Sequence, residues 1–112
     1  MSPIGDIGGA SPSLIISVIA NEDILKNDPV SLVGSFRVGR NNGDLFGKAI
    51  LNGKTGDAIP VVVMGLIKFE RKHDMMWGLR NSVRLSAGNL VPSTEGRGLV
   101  VGLDNEHVWV LL

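Results

Sequence analysis

Gly53-Lys54-Thr55 has the residue types that close a phosphate-binding loop. Such a loop needs a glycine, four residues, then Gly-Lys-Ser/Thr, so that backbone N–H groups wrap the phosphates. Gly47 stands one residue too far upstream, and Gly-Asp-Ala-Ile-Pro after Thr55 does not start a helix. The segment reads as a turn. Gly96-Arg97-Gly98 with Gly102 has the outline of a dinucleotide fingerprint. The third glycine falls one residue late, and the run enters β-rich sequence instead of a helix whose N-terminus could meet a pyrophosphate. His73 and His107 are the only histidines, and cysteine is absent. Neither histidine has a second His or Cys at ligand spacing, so a zinc site lacks ligands. No nucleophile-elbow pattern frames a serine. Asp23, Asp28, Asp44, Asp57, Asp74 and Asp104 all fall in predicted turns, where the carboxylate bonds nearby backbone N–H groups. The spaced acidic ligands of a calcium loop are missing. We therefore expect a non-enzymatic protein with no catalytic, cofactor-binding or metal-ligating residues.

What remains is chemistry of contact. Arg37 with Arg40, and Arg71 with Lys72, are small basic pairs that could meet a partner's acidic surface, an arrangement that sets register and on-rate more than affinity. Met75-Met76-Trp77 follows a charged loop. Met and Trp suit a core, and they are also enriched at interface centres. Ile4 and Ile7 would be the apolar anchors of the N-terminal segment, residues 1–12, which is rich in Gly and Pro and reads as an irregular arm.

Composition narrows the partners. Lys plus Arg and Asp plus Glu are 11 each among 112 residues. A balanced charge gives no general attraction to nucleic acid or to an anionic membrane. Two Trp and three Phe are too few for a stacking platform. No apolar stretch approaches a bilayer span, and the first residues lack the basic start and apolar centre of a secretory signal. The lack of cysteine suits a reducing cytosol or a particle assembled there.

The elements that must position these residues are strands. The chain length predicts one domain, residues 13–112, with one core. Fifteen glycines, spread along the chain, supply many tight turns. Residues 13–20, SLIISVIA, read as a strand buried on both faces. Residues 24–27 could form a helical turn, and Asn42-Gly43 predicts a type I′ hairpin turn. Residues 45–51 read as a strand. Residues 58–69 are the longest apolar run, which Gly65 divides with a bulge or bend. Residues 82–87 alternate apolar with polar, the period of a half-buried strand. Residues 99–103 and 106–112 close the chain as strands. About eight short strands and no long helix predict an all-β fold: a small β-sandwich, jelly roll or β-barrel.

The order of these blocks resembles the tailed-bacteriophage capsid decoration, or cement, proteins. Asn27-Asp28-Pro29-Val30 is similar to their "G-D-P-V" opening. Gly47-Lys48-Ala49 matches a "G-x-A" strand, and Gly56-Asp57 leads into Val61 to Phe69 as a Gly-Asp turn leads into a "V-x-x-x-G-V" strand. Val83-Arg84-Leu85, Gly98 to Gly102 and Val108-Trp109-Val110-Leu111-Leu112 are similar to the closing strands. Asn27 stands where the family has Gly, and residues 70–80 are unusually charged and Met-rich. The resemblance implies a β domain on the outer surface of a virion, assembled in the host cytoplasm. It would clamp adjacent major capsid protein subunits as a homodimer or homotrimer at a symmetry axis. Ile4, Ile7, Arg37, Arg40 and the Arg71–Trp77 loop are then the expected contacts. A head-fibre, tail or baseplate module, or a carbohydrate- or ligand-binding β-sandwich, are the alternative expectations.

Overall fold

A computed structural model describes residues 13–72 and 75–112. The chain is all-β, and of the predicted architectures the one observed is a barrel with two small sheets beside it. The barrel is built from β1 (Leu14–Ala20), β2 (Pro29–Gly34), β3 (Arg37–Gly39), β5 (Gly47–Ala49) and β6 (Ala58–Met64). Its order is β1-β3-β2-β5-β6, closed by antiparallel pairing of β6 with β1. Only β1 with β3 is parallel within it. A second sheet joins β10 (Leu99–Leu103), β11 (His107–Leu111) and β7 (Leu66–Glu70) in that order. A third joins β4 (Gly43–Asp44), β8 (Ser82–Ser86) and β9 (Asn89–Ser93).

Gly65 divides the long apolar run as expected. Its φ is +109°, a region that side chains disfavour. The bend takes the chain out of the barrel, and Gly65 then exchanges backbone hydrogen bonds with Leu112. The consequence is two cores where chain length predicted one. Val18, Val30, Val38, Ile59 and Val61 are among the residues that fill the barrel. Leu45, Phe69, Val83, Leu85 and Val110 are among those between the two small sheets. The strand buried on both faces is β6, not β1. Ile59, Val61 and Val63 point into the barrel while Val62 packs on the second core. On β1, Leu14 and Ile15 are exposed.

Three local expectations are corrected. Residues 24–27 are not helical, because the Ile24 N–H and carbonyl bridge Gly53 in extended conformation. The strand read over residues 45–51 shrinks to Gly47–Ala49. Asn42-Gly43 is not a hairpin turn. A type I′ turn needs positive φ at both central residues. Ala87 (+52°) and Gly88 (+79°) have it, between the paired residues Ser86 and Asn89. The Asn42 side chain instead accepts the Ala87 N–H at 2.8 Å, so the predicted turn residue supports the observed turn.

Candidate functional site

The contact residues singled out in the sequence separate in space. Ile4 and Ile7 lie outside the described residues. Arg37 is exposed beside the Ser35-Phe36 turn, at the opposite end of β3 from Arg40. The Arg71 guanidinium donates to the Asp104 carbonyl at 2.9 Å, which ties the β7 end to the β10–β11 turn. Trp77 is 9% exposed and belongs to the second core, so it is not a surface anchor. Met75 packs against the same core. Met76 is 93% exposed. Arg40 and Lys72 do converge, on a cleft of about 510 Å³.

The cleft lies between the barrel and the second sheet. One wall carries Lys26, Asp28, Arg40 and Lys48. The other carries Lys68, Phe69 and Glu70 of β7, with His107 of β11. Five cations thus face two carboxylates, Asp28 and Glu70. Two of these cations, Arg40 and Lys48, are held by specific contacts. Arg40 directly follows β3, with its backbone N–H held by Glu22 Oε2 at 3.2 Å. Its guanidinium lies 3.8 Å from Asp28 and against the bare Cα of Gly88. Its Nε is buried without a hydrogen-bond partner among the described residues. Lys48, on β5, donates its ammonium to the Lys68 carbonyl at 2.6 Å, 5.7 Å from the Phe69 ring centre. Burial, then the neighbouring Lys68 charge, holds the Lys48 pKa below the ordinary lysine value. A cation disfavoured in this way gains when an anion enters.

Lys26, Lys48 and Lys68 were not foreseen as a group. Lys48 and Lys68 each stand between uncharged neighbours within a strand and Lys26 opens a polar turn, and the chain leaves the barrel at Gly65 before Lys68 meets Lys48.

The second sheet also has an outward apolar face. Val100, Val110 and Ile67 point inward. Their neighbours Leu99, Leu111 and Leu66 are in direct register across the three strands and point the other way. Leu99 and Leu111 are exposed, as is Val101 beside them. In the next row the Trp109 indole lies over Gly102, where a side chain would meet it at 3.3 Å. Among the described residues no group of three His, Cys, Asp or Glu could hold a metal ion. No protein-family model matches the chain, and no curated protein matches it either.

Proposed function

We propose that this protein is a non-enzymatic adhesive module of the capsid-decoration type, which binds the outer surface of a protein shell and clamps adjacent major capsid protein subunits. The observation that carries this reading is the row Leu99, Leu111 and Leu66 on the outer face of a three-stranded sheet. Small soluble domains seldom present a large ordered apolar face without a partner for it. Burying one such leucine contributes about 1.5–3 kcal/mol. Leu14 and Met64 pair at the barrel side of the Gly65 bend and are exposed too, so apolar contact area stands on both sides of it.

The resemblance to decoration proteins supports the same reading at one further position. Asn27, where that family has Gly, adopts φ +76°. This is the left-handed region that Gly occupies freely and Asn tolerates better than other residues. Asn27 therefore holds a conformation that a Gly at the same position could also hold, so its difference from the "G-D-P-V" pattern does not count against the resemblance.

A ligand that binds only the assembled shell stabilises it by mass action. Self-association at a symmetry axis would place copies of the same face on neighbouring shell subunits. Calorimetric melting of expanded tailed-phage shells, with and without the protein, tests the proposal. The shell transition moves up with protein concentration if the reading is right, and stays in place if it is wrong.

A further inference from the structure

We infer that the open edge of β7 is a docking strand for an extended acidic segment of a partner protein, which adds beside β7 and places its carboxylates among the cleft's lysines and Arg40. The inference concerns this edge alone and stands whether or not the partner is a capsid shell.

Hydrogen-bonded pairs alternate along an antiparallel ladder. Gly65 and Leu112 exchange both bonds, and the Arg71 N–H donates to the Glu106 carbonyl. Residues at every second position between them, Ile67 and Phe69, therefore direct their N–H and C=O groups to β11. Leu66, Lys68 and Glu70 direct theirs to the other side. No strand among the described residues pairs with that side. Lys68 and Glu70 both line the cleft. The Lys68 carbonyl is capped only by the Lys48 ammonium.

An unpaired edge with ordered geometry recruits an extended peptide through main-chain bonds, and side-chain pockets then select its sequence. Selection here is by charge. Lys48 would release the Lys68 carbonyl to the incoming N–H and pair with a carboxylate instead. Arg40, whose Nε lacks a partner, and Lys26 and Lys72 stand across the cleft for others. The same lysines oppose a second copy of this edge, because two like-charged edges repel. Leu66 to Glu70 offers length for a segment of about five residues.

The test uses the full chain, labelled with nitrogen-15, and an end-blocked heptapeptide that alternates glutamate with threonine. Binding should slow amide exchange at Lys68 and Glu70 by at least about tenfold at saturation, as new backbone bonds do. Lys48→Glu should weaken binding at least about tenfold by charge reversal. Lys72→Glu, on an exposed side chain, should weaken it in the same direction. The lysine-for-glutamate peptide should not bind. Three results would overturn the inference: no binding of the glutamate peptide, binding that leaves the two amides exchanging at their free rates, or equally tight binding of inorganic polyphosphate at the same residues.

Discussion

Arg97 and Val83 exchange both of their backbone hydrogen bonds, at 3.0 and 3.1 Å, although Arg97 belongs to no strand and bridges β8 at this one residue. This bridge fixes the Arg97 side chain across the junction of the barrel and the small sheets. Its guanidinium donates to the carbonyls of Leu45, Phe46 and Val63, at 3.1–3.2 Å. The Gly-Arg-Gly segment that has the outline of a nucleotide fingerprint is a structural staple. Arg97→Ala strands three carbonyls, and we expect it to cost about 2–4 kcal/mol in urea unfolding. Arg97→Lys should restore only part of this, since one ammonium cannot span three acceptors. A loss under about 0.5 kcal/mol for the alanine variant, the ordinary range for surface changes, would contradict the staple.

Gly88 is the position where the turn and the cleft meet. Its φ of +79° disfavours a side chain, and a Cβ there would stand 2.9 Å from Arg40 Nη2. Gly88→Ala should cost about 1–3 kcal/mol, from backbone strain and displacement of the guanidinium. In an Arg40→Ala background only the backbone part should remain. A double-mutant cycle on thermal unfolding measures the difference, and additive losses would show that the two residues do not press on each other.

Met76 and Trp77 are neighbours with opposite fates, 93% and 9% exposed. Trp77→Ala should cost about 3–5 kcal/mol, as removal of a large core side chain does. Met76→Ala should stay within about 0.5 kcal/mol. Chemical denaturation of both variants checks this, and equal losses would refute the placement of the loop.

Several elements are legible in the residues alone. The run from Ala58 to Phe69 is too long and too apolar for one short strand, and Gly65 is its only flexible point. The alternation of Val83 and Leu85 with Ser82, Arg84 and Ser86 shows which face is buried, although the strand ends at Ser86 and Ala87, expected to continue the buried face, is exposed in the turn. Other features depend on the fold. Asn42-Gly43 has the best local turn chemistry, but Asn42 is drawn to Ala87, far away in sequence. Leu99 and Leu111 sit in unbroken apolar runs, Leu99-Val100-Val101 and Val108 to Leu112, so only register shows that they face outward. Lys48 and Lys68 lie 20 residues apart in sequence, and only the fold lets the Lys48 ammonium reach the Lys68 carbonyl.

Asp23 and Asp104 make stability depend on acid. The Thr55 backbone N–H, then its hydroxyl, holds the Asp23 carboxyl below the ordinary value of 3.8. The Glu106 N–H does the same for Asp104, joined by His107. Folded-state values lie below unfolded ones, so the unfolded chain takes up protons first. The contribution is complete above 3.8 and is lost as pH falls through the folded values. The urea midpoint should therefore drop from about pH 5 to about pH 3. The Asp23→Asn/Asp104→Asn variant should show a shallower drop. An unchanged acid limb in that variant would assign the pH dependence to other groups.

Sedimentation with purified tailed-phage capsid shells tests the adhesive reading most directly. Wild-type protein should pellet with expanded shells to saturation. Leu111→Glu, which puts a charge in the middle of the apolar row, should bind at least about tenfold more weakly, because burying an unpaired carboxylate offsets the contact. Wild-type protein that stays in the supernatant, or a Leu111→Glu variant that pellets equally well, would contradict the account.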